Sequence, residues 1–334
     1  MKWLRQNKWY VAVLAVLLTL EIAFFYYPLN YIVYYDGLAT DLAPYITVSA
    51  GDVDDVGTFY MLSVYTAPVN GAIWLRAQFD HNLDLKPRDA VIPSGMTTEE
   101  YDDQMLQNMS ESQKKAVLVA LQKAGRAVSV TGGGLQITDF TPTCTLKDVL
   151  RVGDLITGFN GRKIILNEDL QRALLQVHVN DSIELELQRD GGSLALTVSM
   201  GQDANGAAKL GVYVSQTAWN LTYEGEITFS DQNIGGGSAG LMMTLEIINR
   251  CLPEDLTQGH QIAGTGTIRL DGSIGAIEGV KQKLHAAEKA GAEYFLVPTE
   301  NYEAARGFAT KIEVVPMQTL DDALQFLAGL TPVP

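Results

Sequence analysis

The feature that most limits how this chain can fold is an apolar run near its N-terminus, residues 9–27. Thr19 and Glu21 interrupt an otherwise continuous series of aliphatic and aromatic residues. About 20 such residues in a helix cross the hydrocarbon core of a bilayer. Glu21 costs roughly 2.5–3.5 kcal/mol on insertion scales, which the surrounding apolar side chains offset. The run therefore predicts a transmembrane anchor.

The charges on the two sides of this run predict its orientation. Three basic residues lie within residues 1–8, and five aspartates lie within residues 36–55. Because cytoplasmic flanks carry the excess of Lys and Arg, we expect residues 1–8 in the cytoplasm and everything after Pro28 outside it. A cleaved signal peptide is the alternative, with a shorter apolar region that ends at small residues. Here the run is longer and ends in the aromatic residues 24–27, which favours a retained anchor at the cell membrane.

Composition argues against several classes of function. Apolar residues make up 47% of the 334 residues and charged residues 19%, as in an ordinary globular protein, and the length allows two modest domains. The formal charge of −15 would repel a phosphate backbone, so nucleic acid is not an expected partner. Cys144 and Cys251 stand in no metal-spaced cluster, and the four histidines show no His-Glu-x-x-His spacing. No metal or other cofactor is expected.

The region after the anchor predicts strands first and then a helix. Short β-rich runs separated by Gly, Pro and Asp occur between residues 36 and 100, and we assign no chemistry to them. A helix is predicted from Ser110, with Gln113 in capping-box spacing, to a stop at Gly125. Residues 126–203 predict a strand-rich domain with one clear helix over residues 167–177.

Several short motifs within 126–203 resemble those of bacterial PDZ domains, in the same order. They are Gly134-Leu135-Gln136-Ile137, Gly153-Asp154-Leu155-Ile156, Asn160-Gly161, Asp169-Leu170 and Arg189-Asp190-Gly191. PDZ domains bind an extended peptide as an added strand, and backbone amides of a glycine-rich loop capture its C-terminal carboxylate. The resemblance implies that Gly133, Gly134 and Leu135 form this peptide-binding loop. A plain flexible turn there, and binding of internal segments, are the alternatives.

A glycine-rich approach to a helix marks the candidate catalytic serine. Residues 235–240 are Gly-Gly-Gly-Ser-Ala-Gly, and Leu241, Leu245 and Ile248 then recur at helical spacing. The start of a helix presents unpaired N–H groups and the positive end of its dipole, which suit the oxyanion of a tetrahedral intermediate. Ser238 is therefore the candidate nucleophile. Gly236, Gly237 and Ala239 are the candidate oxyanion and substrate loop.

A serine hydroxyl needs a base to take its proton, and the sequence favours a lysine. His260 has no acidic partner that the sequence identifies. A lysine acts as a base only when neutral, which a desolvating pocket achieves. Lys281 lies at the start of a predicted helix, 280–290, at the edge of its core face, and is the predicted base. Lys283 is expected to project from a different, solvated side.

Ser238 and Lys281 with their surroundings resemble the proteolytic domain of the Lon family, in its membrane-anchored, PDZ-containing bacterial branch. The matching segments are 235–240, Ala263-Gly264-Thr265-Gly266-Thr267-Ile268, Asp271-Gly272-Ser273-Ile274-Gly275, Gly279-Val280-Lys281-Gln282-Lys283, and Ala290-Gly291-Ala292 with Val297-Pro298. The resemblance implies a Ser238/Lys281 dyad with Thr265 beside it to orient the lysine. Relatives typically carry Pro where Gly237 stands, so the loop before the serine is expected to be less rigid.

These observations predict an α+β multidomain protein with five segments. They are residues 1–8 as a cytoplasmic N-terminus, 9–27 as the anchor, 36–125 as an exported segment packing on the other domains, 126–203 as the PDZ domain and 204–334 as the Lon-like protease domain. Alternation of strands and helices in the C-terminal part agrees with an α+β protease fold. Peptides or unfolded proteins are the expected partners, together with the membrane and possible further copies of the chain.

The predicted function is that of an ATP-independent serine endopeptidase of exported polypeptides. No Gly-x-x-x-x-Gly-Lys-Ser/Thr loop is present for binding nucleotide. A catalytically inactive, membrane-tethered PDZ adaptor is the main rival. The spacing Gly235-x-Gly237-x-x-Gly240 also satisfies a dinucleotide-binding fingerprint, but residues 230–233 separate it from the preceding strand and Pro253 breaks the following region.

Overall fold

The apolar run folds as one long helix in the computed structural model, which describes residues 8–49, 56–203, 205–230 and 234–333. This helix, α1, spans Lys8–Tyr26 and buries none of its residues in the rest of the chain. Within the described residues it is the one helix that is long and apolar enough to cross a membrane, a criterion that a signal sequence also meets. The basic residues Lys2 and Arg5 lie outside the described residues.

The remainder forms two compact units, and each is a mixture of helices and strands, as predicted. Val128–Glu224 form one unit, and the described residues on both sides of it form the other. The predicted boundaries differ from this division, because residues 31–123 share a unit with the C-terminal part and the strand-rich unit runs to 224 instead of 203.

The flanking unit is built on a six-stranded sheet in the order β20-β19-β16-β3-β1-β4. Its strands are β1 (Tyr31–Asp41), β3 (Thr58–Pro68), β4 (Asp84–Pro87), β16 (Gln261–Gly264), β19 (Tyr294–Pro298) and β20 (Glu313–Met317). The four strands from β20 to β3 run parallel, and β1 and β4 join antiparallel. Because β3 pairs directly with β16, the segment before the strand-rich unit completes the sheet of the segment after it.

Helices cover this sheet. They are α2 (Gly71–Ala77), α3 (Arg88–Val91), α4 (Thr98–Lys123), α6 (Gly240–Cys251), α7 (Val280–Ala290), α8 (Thr299–Phe308) and α9 (Leu320–Ala328). The helix predicted from Ser110 begins at Thr98 instead, because Thr97 and Glu100 form the capping box. Helix α6 is buried from Gly240 to Arg250, so an apolar helix with little polar surface lies in the middle of the unit.

Small strand pairs complete the flanking unit. Strand β2 (Ile46–Val48) pairs with β15 (Ile227–Phe229), and β17 (Thr267–Ile268) pairs with β18 (Ile274–Gly275). The second pair follows β16 directly and runs beside the start of α6. A Cβ atom on Gly240 would lie 2.8 Å from the backbone nitrogen of Ile268, so only glycine allows this approach.

The strand-rich unit contains a sheet whose main path has five strands, in the order β10-β9-β7-β6-β13. Its described residues include one helix, α5 (Asn167–Leu174). The strands are β6 (Leu135–Phe140), β7 (Leu155–Phe159), β9 (Ser182–Arg189), β10 (Gly192–Ser199) and β13 (Val212–Gln216). Five further strands accompany them: β5 (Val128–Gly132), β8 (Arg162–Lys163), β11 (Gly201–Gln202), β12 (Ala208–Lys209) and β14 (Trp219–Tyr223). Strand β14 pairs with β5. Alternate residues of β9 are buried, which gives the unit its own core.

Candidate active site

Three side chains from three separate elements meet at the head of α6. Ser238 stands two residues before the helix, Thr265 follows β16 directly, and Lys283 lies in the first turn of α7. The Nζ atom of Lys283 is 2.7 Å from the Oγ atom of Ser238 and 3.0 Å from the Oγ1 atom of Thr265. These distances are those of a connected hydrogen-bond chain.

The structure corrects the choice of lysine. The side chain of Lys283 is only 4% exposed, whereas Lys281 is partly exposed and contacts the carbonyl oxygen of His81 and the ring of Phe308. Side chains two positions apart on an α-helix point in directions that differ by about 200°, so only one of Lys281 and Lys283 can face the serine. The expectation that Lys283 is solvated and that Lys281 faces Ser238 was wrong.

Burial makes the Lys283 amine a base near neutral pH. Loss of hydration lowers the pKa of Lys283 from 10.5 to about 7, and the negative charge of Glu278 opposes this shift without cancelling it. The carboxylate of Glu278 is held by the hydroxyl of Tyr34, at 3.0 Å, and by Lys86, at 3.3 Å. The amine can therefore accept the Ser238 proton, which an ordinary lysine cannot do at pH 7.

Thr265 connects the lysine to the backbone of the serine. It is fully buried, and its hydroxyl donates to the carbonyl oxygen of Ser238 at 3.0 Å while its Oγ1 lies beside Lys283. The backbone N–H of Gly266 donates to the same carbonyl at 2.8 Å. The structure thus places Thr265 where the sequence resemblance put it, next to the amine that faces Ser238.

Two backbone carbonyls around Ser238 are held so that two N–H groups point the other way. The carbonyl of Gly237 accepts from the hydroxyl of Ser112 at 3.0 Å, and the carbonyl of Ser238 accepts from Thr265 and Gly266. In a planar trans peptide the N–H is directed opposite to the C=O. The N–H groups of Ser238 and Ala239 therefore point away from these contacts, and within the described residues they have no hydrogen-bond acceptor.

This arrangement changes the predicted oxyanion loop. The N–H of Gly236 already donates to the carbonyl of Met105 at 2.7 Å, so it is not a free donor. Gly237 and Ala239 retain unoccupied N–H groups in the described part of the chain, and Ser238 adds its own. The sequence does not point to Ser112 or Met105, because both lie on α4, far from the serine in sequence, and neither stands in a motif that links it to Ser238.

The glycines of the predicted PDZ loop are used by close packing and hydrogen bonds within the domain. The N–H of Gly133 donates to the carbonyl of Ala218 at 3.0 Å, and that of Gly134 to the carbonyl of Ile165 at 2.9 Å. Leu135 is fully buried in β6, which pairs with β7 on one side and β13 on the other. Both glycines have positive φ angles and approach neighbouring residues too closely for a Cβ atom. The N–H groups of Gly133 and Gly134 are therefore not free donors in this structure, and peptide binding by this loop stays a prediction.

Comparisons with known proteins identify both units. Residues 231–328 match the family model of the Lon protease (S16) C-terminal proteolytic domain, and residues 105–200 match that of the PDZ domain. The chain therefore carries a Lon-type proteolytic domain and a PDZ domain. The PDZ match begins within α4 and ends before β13, whereas the strand pairings extend that compact unit to Glu224.

Two Lon proteases agree with the assignment of the proteolytic domain. The chain is 35% identical to a Lon protease of Campylobacter concisus over 95 residues, which are 27% of this chain and 12% of that protein. It is 30% identical to a Lon protease of Clostridioides difficile over 158 residues, 43% of this chain and 20% of that protein. The match thus spans a fifth or less of the length of these curated relatives. A solved PDZ domain of an SdrC-like protein from Listeria monocytogenes is 20% identical, with a TM-score of 0.24, and the alignment covers 26% of this chain and 92% of that one.

Proposed function

We propose that this chain is a membrane-anchored serine endopeptidase that cleaves exported polypeptides without ATP, with Ser238 as nucleophile and Lys283 as general base. The observation that carries the proposal is the 2.7 Å approach of a fully buried lysine amine to the serine Oγ at the start of α6. This geometry suits nucleophilic catalysis by serine, because a pKa of about 7 leaves a large share of the Lys283 amine neutral at neutral pH and the amine lies within hydrogen-bond reach of the serine.

The reaction follows from the positions of these groups. Lys283 takes the proton of Ser238 as the Oγ attacks the carbonyl carbon of the scissile peptide bond. The resulting oxyanion lies near the free N–H groups of Ser238 and Ala239, which stabilise it. The ammonium of Lys283 then donates its proton to the leaving amine, and the peptide C–N bond breaks. Water, deprotonated by the same amine, hydrolyses the acyl-enzyme and restores the serine.

The test of this function is cleavage of an unstructured polypeptide by the full chain in detergent micelles or nanodiscs. We expect the same rate with ATP and magnesium as without them, since the sequence has no phosphate-binding loop. Fragments are counted by mass spectrometry. Cleavage that appears only when ATP is added would contradict the proposal of ATP independence, and no cleavage under either condition would favour the adaptor.

Helix α4 is proposed to position the oxyanion donors through Ser112. Because the Ser112 hydroxyl holds the Gly237 carbonyl, Ser112→Ala should let this peptide rotate and lower kcat about tenfold, with KM and the pH dependence unchanged. Ser110→Ala, an exposed residue of the same helix, is the matched control and should retain full activity. Equal kcat values for the two variants would show that Ser112 does not position the oxyanion donors.

Peptides are proposed to bind the PDZ domain along β13. The two ends of its sheet are β10 and β13, and in the described part of the chain β13 pairs with β6 alone. Helix α5 begins beside β13, where the backbone N–H of Asn167 donates to the side chain of Gln216 at 3.2 Å. A free strand edge next to a helix is the arrangement that strand addition uses.

Hydrogen exchange locates this binding edge. Adding a substrate peptide should slow amide exchange within residues 212–216 and leave residues 132–135 unchanged, because the loop amides are already bonded within the domain. Protection confined to residues 132–135 would show that peptides bind at the glycine loop after all.

For localisation, we propose that α1 is a retained single-pass anchor with the N-terminus in the cytoplasm and both domains outside. Its length of 19 residues and the basic residues before it support this orientation. Treatment of intact cells with an added protease tests this orientation, because the added protease reaches both domains only if they lie outside the membrane.

A further inference from the structure

An apolar surface lies beside the point where α1 ends. It consists of Trp74 and Leu75 on α2 and Phe79 just after it, and these side chains are 41%, 47% and 80% exposed. The opposite side of α2 carries Ile73 and Ala77, which pack on the core formed by Val33, Val69 and Leu83. The α2 surface is therefore the outer face of a helix whose inner face is already buried. Clustered exposed apolar side chains mark a contact with another phase or molecule.

Helix α2 is attached directly to the end of α1. The side chain of Asn70 caps α2 by accepting from the N–H of Ile73, and it donates to the carbonyl oxygen of Phe25 at 2.6 Å. Gly71 packs against Phe24 so closely that a Cβ atom would lie 2.4 Å from its ring. These contacts fix α2 at the level of the last turn of α1.

From these contacts we infer that the α2 surface inserts into the interfacial layer of the bilayer that α1 crosses, which gives the catalytic unit a second membrane attachment. This inference rests on the proposed anchor. Lipid is the partner because the surface is continuous with the aromatic end of α1, and Trp and Phe side chains suit the headgroup boundary. The only charges within α2 and its next turn, Arg76 and Asp80, neutralise each other in an ion pair at 3.0 Å. Binding therefore depends on apolar area and not on lipid charge.

This attachment reaches the active site through one contact. The carbonyl oxygen of His81, two residues after Phe79, contacts Lys281 at the start of α7, and Lys283 lies two residues further along the same helix. The second attachment holds the helix that carries the base near the bilayer surface.

Spin-label accessibility tests the inference on the full chain in nanodiscs of zwitterionic lipid. Single cysteines replace Leu75 and Phe79, with Cys144 and Cys251 changed to alanine throughout. Leu18→Cys in α1 reports lipid, and Leu38→Cys, an exposed position seven residues along β1, reports water. We expect the ratio of relaxation by oxygen to relaxation by a water-soluble nickel complex at Leu75 and Phe79 to lie well above that at Leu38, toward that at Leu18. The ratio should not change when anionic lipid is added.

Three results would overturn the inference, and they are distinguishable. If Leu18 reports lipid while Leu75 and Phe79 match Leu38, the anchor stands and the second attachment does not exist. If labels at Leu75 and Phe79 are shielded from both reagents, a protein covers the surface. If Leu18 also reports water, the proposed anchor fails and the inference fails with it.

Discussion

Replacing Ser238 or Lys283 by alanine should lower kcat/KM by about 10³-fold or more, whereas Lys281→Ala should retain activity close to that of the wild type. The reason is geometric, since the Lys283 amine reaches the serine Oγ, whereas the Lys281 amine contacts His81 and Phe308. Cleavage of a fluorogenic peptide measures all three variants against the wild type. An inactive Lys281→Ala variant together with an active Lys283→Ala variant would show that Lys281 is the general base.

Lys283→Met separates loss of the base from loss of the fold. Methionine fills similar space without a charge, so this variant should be inactive yet more stable than the wild type. Because folding lowers the pKa of Lys283 from 10.5 to about 7, the native state disfavours the charged amine by at most about 5 kcal/mol. This cost is largest below about pH 7 and disappears as pH rises toward 10.5. A higher denaturation temperature with no activity is expected; a lower one would mean that the amine stabilises the native state.

The second large effect is the pH dependence. The neutral amine is the active form, so kcat/KM should rise about tenfold per pH unit below about pH 7 and level off above it, about a hundredfold in all between pH 5 and 8. Glu278→Gln should move the inflection to lower pH, because the carboxylate favours the protonated form of Lys283. Activity measured in overlapping buffers of constant ionic strength checks both. A flat profile over this range, or an inflection near the ordinary lysine value, would contradict the proposed base.

Ser238 was predictable because its signal is local. Three glycines followed by Ser-Ala-Gly and an apolar helix place a hydroxyl at a helix start, whatever the rest of the chain does. Lys283 was within reach of the same reasoning, since Val280 and Ala287 lie three before and four after it on the core stripe of α7. Lys281 was preferred because sequence position alone does not say how the helix is rotated against the sheet.

The rest of the site depends on contacts between distant parts of the chain. Ser112 reaches the Gly237 carbonyl across 125 residues, and β3 pairs with β16 across the whole strand-rich unit. Neither contact leaves a periodic pattern in the sequence of either segment. The sequence of residues 36–125 therefore predicts strands and a helix, but not that they complete the sheet of the protease unit. Glycines 133 and 134 are ambiguous in the sequence for a related reason, because close backbone packing and ligand capture both favour glycine.

Labelling with a serine-directed fluorophosphonate, followed by peptide mapping in the mass spectrometer, tests most directly whether the neutral Lys283 amine activates Ser238. We expect one adduct on Ser238 in the wild type and in Lys281→Ala at pH 8, and almost none in Lys283→Ala or in the wild type at pH 5. Equal labelling of Ser238 with and without the Lys283 amine would show that this lysine does not activate the serine.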